Sequence, residues 1–500
     1  MNKPTKSILK YKPEANNSFP LQQQQQPQSW LSRLQSKLYN SNHSLHHDNN
    51  PLLLAKQDLK RVTFSVGNLT TEHCFFTDDS PRDESFEHQK QKGNMPTEEI
   101  TPVRLVNHYE HACIQAEEGI LERFQMILKH AKRNEDLQSI NLSKQPITVH
   151  QANPLSSIFM LKFGLTSLNV SNCKLEDETV RILLSSLLVS NTIEHLNLSK
   201  NESIKMKGFK YIAIFIKQSK TIQSIDLSQC TIDKRSMEYL SQGLRYATNL
   251  RHVEMNKCAL NSTVEAVFVK GISDNNSLIS LSLCNIQSNH HHQWLSQLLT
   301  SQMKLERLDL SNNYQLHMSS LASSLIINHT LTHLCLSNCK INFEGLVHLS
   351  NALKENEYLK SLDLSNNPLG GETDEGIFAL KSALLMHNSS LESLNLSATQ
   401  LESSSVIALA EVLPENTVLT RLDLSKNPKI DIAGLLALSI SIKMNHTLTF
   451  LDINIPPMDE ELANLQNDIV AVCTTNMLQK VEQHCPSSRS SLQEEEFKVL

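Results

Sequence analysis

Residues 61–64 read Arg61-Val62-Thr63-Phe64. In an extended segment Val62 and Phe64 point to one side and Thr63 to the other. Such a segment, headed by a basic residue, can add as a strand to a sheet edge and seat two apolar anchors in two pockets. Upstream, Ser7-Ile8-Leu9-Lys10 is a second candidate recognition element, with Ile8 and Leu9 as the anchor pair and Lys10 as the charge contact. This is recognition chemistry rather than bond-making chemistry. Thr63 lies two residues after Arg61, a spacing that suits a basophilic kinase, and phosphate there would bring up to about two negative charges to the docking edge.

Nothing else in the chain has the spacing of a catalytic centre. There is no Gly-rich phosphate loop and no Cys-x-x-Cys, and only 12 of the 500 residues are glycine. His290-His291-His292 is the one metal-like cluster. Adjacent histidines in a turn rarely bring two ring nitrogens onto one ion, so the trio reads as a surface loop. The expectation is a non-enzyme with no metal and no cofactor. Of the ten cysteines, Cys173, Cys230, Cys258 and Cys339 fall at one repeat position, which predicts buried thiols rather than disulfides.

Net charge is −6 and the pI about 6.4, which argues against a general nucleic-acid binder. No apolar run reaches the eighteen or so residues of a membrane span, and Met1 to Lys6 leads into no apolar signal core. The expected compartment is the cytoplasm, with the nucleus as an alternative, and the Asn-x-Ser/Thr sequons at Asn141, Asn197, Asn328, Asn395 and Asn445 are expected to stay unmodified.

The two recognition elements lie in a polar stretch, residues 1–100, with a Gln22–Gln26 run and few periodic apolar residues. Such a composition predicts a disordered arm, because it cannot offset the entropy of ordering. Trp30, Leu31, Leu34 and Leu38 interrupt it at helical spacing. From Leu137 the chain repeats. Leading apolar residues recur at Leu137, Leu165, Ile193, Ile222, Leu250, Leu278, Leu305, Leu331, Leu359, Leu391, Leu419 and Leu448, in steps of 26 to 32 residues. Each unit opens L-x-x-L-x-L-x-x-(N/C), as in Leu305 to Asn313, which is the leucine-rich-repeat signature. Alternation at Leu308 and Leu310 predicts a short strand. Stripes such as Val180, Leu183, Leu184 and Leu187, or Leu346, Leu349 and Leu353, predict a helix in each unit's second half.

The fold expectation is therefore an α/β leucine-rich-repeat solenoid, a ribonuclease-inhibitor-like horseshoe of about 12 repeats over residues 135–456. Twelve strands at about 4.8 Å give an inner arc of roughly 55 Å. A repeat array needs capped ends. Residues 101–134, with Tyr109, Ala112, Ile120, Phe124, Ile127 and Leu128, read as an N-terminal helical cap. Residues 457–485, with Leu462, Leu465, Ile469, Val472 and Leu478, read as a C-terminal cap helix after Pro456-Pro457. Residues 486–500 read as a tail.

The strand position between the second and third repeat leucines faces the concave side. It includes Asp226, Glu254, Asp309, Asp363, Asp423 and Asp452, and no basic residue in twelve units. Pleating puts these in one row whose field adds, diluted by Arg251, Arg307, Lys360 and Arg421. Leu-Asp-Leu-Ser is also ordinary repeat wording, so a solvated face competes with a platform for a basic partner.

Both elements of the arm resemble docking peptides of the type-1 protein phosphatase catalytic subunit. Arg/Lys-Val-x-Phe arises by chance in roughly one chain in ten of this length, and the Ser7 to Lys10 pattern in roughly one in twenty-five. The two together are much rarer. A flexible linker between Lys10 and Arg61 spans roughly 40 Å, so both could engage one phosphatase molecule at raised effective concentration. With Lys60 to Phe64, Thr420-Arg421-Leu422-Asp423-Leu424, Gly434-Leu435-Leu436-Ala437-Leu438-Ser439 and Asn445-His446-Thr447-Leu448, the chain resembles the protein phosphatase 1 regulatory subunit 37 family over roughly residues 59 to 485. The resemblance implies a regulatory subunit that binds the phosphatase and inhibits or redirects it. The Gln-rich start and the Ser7 to Lys10 element depart from that pattern. Two alternatives stay open: a Ran-type GTPase-activating protein, whose usual long acidic tail is reduced here to Glu494-Glu495-Glu496, and a plain repeat scaffold.

Overall fold

Twelve strands of three residues stack in chain order into one parallel sheet. The computed structural model describes residues 100–286, 294–301, 304–314, 316–370, 373–386, 388, 390–453 and 460–484. The strands are β1 Ser139–Asn141, β2 Ser167–Asn169, β3 His195–Asn197, β4 Ser224–Asp226, β5 His252–Glu254, β6 Ser280–Ser282, β7 Arg307–Asp309, β8 His333–Cys335, β9 Ser361–Asp363, β10 Ser393–Asn395, β11 Arg421–Asp423 and β12 Phe450–Asp452. Each central residue is buried, for example Leu308 and Leu362, while its two neighbours stay open or half-buried. A helix returns the chain between strands, so neighbours run parallel.

The helices are α1 Pro102–Gln115, α2 Glu122–His130, α3 Val149–Phe159, α4 Asp177–Ser190, α5 Met206–Gln218, α6 Lys234–Arg245, α7 Ser262–Ile272, α8 Trp294–Thr300, α9 Met318–Ile327, α10 Phe343–Glu355, α11 Glu375–Met386, α12 Ser403–Ala410, α13 Ile432–Ile442 and α14 Glu460–His484. The predicted stripes of α4 and α10 are their buried faces. Leucines of strand and helix meet in a single core that runs the length of the array. All described residues belong to one compact unit, Gln91–Leu500.

Two side-chain ladders tie repeat to repeat. After β7, Asn313 donates from Nδ2 to the carbonyls of Leu283 and Leu310 at 2.9 and 2.7 Å, and its Oδ1 accepts from the Ile286 N–H at 2.8 Å. Asn201, Asn367 and Asn427 do the same. Where a cysteine holds this place, the thiol donates to a carbonyl of the preceding repeat, as Cys339 does to Leu310 at 3.2 Å. Buried backbone groups need such partners. The second ladder, which the leucine signature does not announce, follows the helices. Asn275, Asn328, Asn356, Asn388, Asn416 and Asn445 each donate to carbonyls one repeat back. Their Oδ1 atoms accept from the N–H two or three residues on.

The N-terminal end is helical over the range expected for a cap. It is two helices, and Ile120 lies exposed in the break between them while Leu121 takes the core place. The turn is fixed by the Leu121 N–H, which donates to the Tyr109 hydroxyl at 3.0 Å. Tyr109, Phe124 and Phe159 then stack edge-to-face at 4.8 and 5.8 Å. At the other end Asn476 in α14 makes a last rung, donating to the carbonyls of Asn445 and Leu448. Ile469 and Cys473 are buried before it, but Leu478 is 56% exposed. The expectation that Leu478 packs inward fails because α14 continues past its last rung with no further repeat beside it among the described residues. No helix among the described residues is long and apolar enough to cross a membrane.

Candidate protein-binding face

The strand register converts sequence positions into two rows on the face opposite the helices. One row is made of third strand positions: Asn197, Asp226, Glu254, Ser282 and Asp309 are successive partners across β3 to β7. Asp363 and Asp423 continue it on β9 and β11. The other row is made of first strand positions and holds His195, His252, Arg307, His333 and Arg421. Strand residues two apart share a face, so Arg307 lies beside Asp309 and Arg421 beside Asp423. The face is thus an acidic row alongside a cationic and imidazole row, not a uniformly acidic platform. Arg307 and Arg421, expected as diluting neighbours of the acidic row, stand in this second row, which the same period of two, counted backwards from the acidic position, finds.

Most of the acidic row has a structural task. The backbone N–H two residues on donates to Oδ1 of Asp226, Asp309, Asp363 and Asp423 at 2.8 to 3.0 Å. The same bond is made to Asn141, Asn169, Asn197 and Asn395. Asp and Asn are used alike to turn the chain out of each strand, as Asx turns do. Asp226 also accepts from Asn197 Nδ2 through Oδ2 at 2.8 Å.

Glu254 is the exception. The N–H of Asn256, which its longer side chain would have to reach, donates instead to Ser228 Oγ at 3.0 Å. Burial pushes the Glu254 carboxyl up from its ordinary value, and the negative charges of Asp226 and Asp309 add to the effect. On the same strand His252 is held low, by burial first and then by Arg307, His195 and Arg251. His333 is held low by burial and Arg307. Histidines in this state stay neutral at pH 7 and leave the arginines as the fixed positive charges of their row. Lys360 is engaged with Glu392 at 2.9 Å, and Arg421 lies 4.0 Å over the Phe450 ring.

Two cysteine thiols lie in or beside the strands, and neither is activated. Burial pushes Cys284 to about 12 and Cys335 to about 11, so both thiols are protonated at neutral pH. Among the described residues no group of three His, Cys, Asp or Glu could hold a metal ion. The face is suited to charge-complementary contact. The other predicted site residues, Ser7, Ile8, Leu9 and Lys10 with Arg61, Val62, Thr63 and Phe64, lie outside the described residues, as do His290 to His292 and Pro456-Pro457.

Strands, helices and asparagine ladders together define a leucine-rich-repeat solenoid. Residues 328–350, 355–381, 387–410 and 415–439 match the family model described as Leucine Rich repeat. The chain is similar to ribonuclease inhibitor of Mus musculus, 27% identical over 271 residues that cover 53% of this chain and 58% of the relative. It is also similar to NACHT, LRR and PYD domains-containing protein 4C of Mus musculus, 33% identical over 199 residues, 39% of this chain and 20% of the relative. The leucine-rich repeat-containing protein LegL7 from Legionella pneumophila aligns with a TM-score of 0.43 at 16% identity, covering 66% of this chain and 98% of that one. The chain spans from about a fifth to just over half the length of these two curated relatives.

Proposed function

We propose that this chain is a non-catalytic regulatory subunit of type-1 protein phosphatase, of the protein phosphatase 1 regulatory subunit 37 kind. It acts in the cytoplasm, with the nucleus as a second compartment. Arg61-Val62-Thr63-Phe64 adds as a strand to the phosphatase and fills two pockets with Val62 and Phe64, while Ile8, Leu9 and Lys10 provide a second anchor. The repeat body is a protein-binding scaffold whose concave face holds what the phosphatase is brought to, or kept from. The observation that carries this reading is the presence of both docking patterns, in order, on one polar arm ahead of the repeats.

On the repeats, Glu254 is where a basic partner side chain gains most. Its side chain is exposed, is not spent on a strand turn and is crowded by the like charges of Asp226 and Asp309. An incoming ammonium or guanidinium would relieve that crowding. A relative named for inhibiting a ribonuclease supports a body of this build as a surface that holds a protein partner.

Capture of the purified phosphatase catalytic subunit by the full chain tests the reading. Val62→Ala/Phe64→Ala is expected to abolish most of the capture. Equal capture by wild type and the double variant would sink the proposal.

A further inference from the structure

On the opposite, helical side of the array one patch is locally cationic. From Lys205 to Lys220 the chain has five lysines and no acid, all five exposed. Lys205 donates to the Glu202 carbonyl, and Lys207 lies in the field of Glu178. Lys210, Lys217 and Lys220 have no carboxylate partner among the described residues. Elsewhere on the helical side lysines are neutralised across repeats, Lys381 by Glu411 and Lys443 by Asp468.

Two of the unpaired lysines are held in register against the next helix. Lys210 Nζ lies 5.9 Å from the centre of the Tyr239 ring, and Lys217 Nζ lies 4.9 Å from that of Tyr246. Seven residues separate the two lysines on α5, and seven separate Tyr239 in α6 from Tyr246, which caps the C-terminal end of α6. Two helical turns place the pairs about 10 Å apart. Tyr246 is 55% exposed and leaves an apolar ring surface between the charges and solvent.

We propose that this face docks an acidic segment of a protein partner, with two carboxylates about 10 Å apart over Lys210 and Lys217 and an apolar side chain on Tyr246. A helix with acids seven residues apart has that spacing. Charge complementarity selects an anion, and the limits of the patch select a short one. Glu202, Asp233 and Glu238 are exposed around it, and a duplex bearing a charge every ~1.7 Å would run onto them. Lys210 and Lys217 are point charges without the guanidinium fork that grips phosphate in two places, and the one guanidinium over the Tyr246 ring, that of Arg245, is committed to Asp274. Ammonium groups already settled over aromatic rings lose less freedom on binding.

The test is fluorescence anisotropy of a labelled twelve-residue helical peptide with glutamates seven residues apart, titrated with the full chain. Lys210→Gln/Lys217→Gln is expected to weaken binding at least tenfold, with a thermal melt that matches wild type. Lys381→Gln, at a lysine already paired, is expected to leave binding unchanged. Equal affinity of wild type and double variant would overturn the proposal. So would equal affinity for the peptide with glutamine in place of glutamate, or tighter binding to duplex DNA or phosphatidylserine vesicles than to the peptide. None of these results depends on the phosphatase.

Discussion

The backbone N–H of Ser311 donates to Asp309 Oδ1 at 3.0 Å, and the Ser311 hydroxyl donates to the same oxygen at 2.6 Å. A concave aspartate is therefore first a turn-former and only second a charge. Asp309→Asn keeps an oxygen at the accepting place and removes the charge. It is expected to leave the urea midpoint nearly unchanged, whereas Asp309→Ala costs about 1 kcal/mol. Equal destabilisation by both would show that the charge, not the turn, holds Asp309 in place.

Asn313 carries a larger structural load, since one amide serves two carbonyls and one N–H, all buried. Asn313→Ala strands those groups and is expected to cost at least about 3 kcal/mol, given about 1–3 kcal/mol for each unsatisfied group. Urea unfolding followed by circular dichroism measures it. A loss below about 1 kcal/mol would mean that water replaces the side chain.

The helices pack too closely for a methyl group at Gly243. A Cβ there would come within 2.7 Å of the Ala213 Cα and carbonyl oxygen on the neighbouring helix. Alanine improves helix propensity by about 1 kcal/mol, but overpacking costs about 1–3 kcal/mol. Gly243→Ala is expected to lower the melting temperature; a rise would show that α5 and α6 can separate at little cost.

Glu254 makes stability depend on pH in a defined direction. Its folded-state carboxyl is raised above the ordinary 4.5, so the folded chain holds a proton that the unfolded chain has lost. Stability therefore falls as pH rises from about 4.5 through the folded-state value. Glu254→Gln removes that loss, so its stability relative to wild type is expected to increase between pH 4 and pH 7. Urea midpoints at the two pH values measure this. No change between them would show that the carboxylate is well solvated.

The proposed docking arm makes a separate prediction. A peptide of residues 57–68 with phosphate on Thr63 is expected to bind the phosphatase at least tenfold more weakly than the plain peptide, because the added charge meets an acidic rim. Isothermal titration of both peptides reads the difference, and equal affinities would exclude Thr63 as a switch.

Much of the fold was legible because a strict period leaves little freedom. Leu308 and Leu310 marked strand β7, Leu346, Leu349 and Leu353 marked helix α10, and Asn313 marked a turn. The acidic row was legible too, but half of its meaning was hidden. Arg307 and Arg421 read as diluting neighbours until the register placed them two residues before Asp309 and Asp423 on the same face. The second ladder was written as an asparagine three residues before the leading leucine, as Asn328 stands before Leu331. Its purpose appears only when Asn328 Nδ2 is seen to reach the Leu299 carbonyl.

By itself the sequence determined the repeat, its length, the parallel order of strands and the side that each strand residue faces, since period and alternation are properties of the chain alone. Tertiary structure decided which charges are spent and which remain free. Asp309 is committed to its own turn, Glu254 is not, and Lys210 and Lys217 find tyrosines where Lys381 and Lys443 find acids. Apart from the local turn at Asp309, these outcomes rest on distances between residues about one repeat apart, and only the stacking of repeats sets those distances.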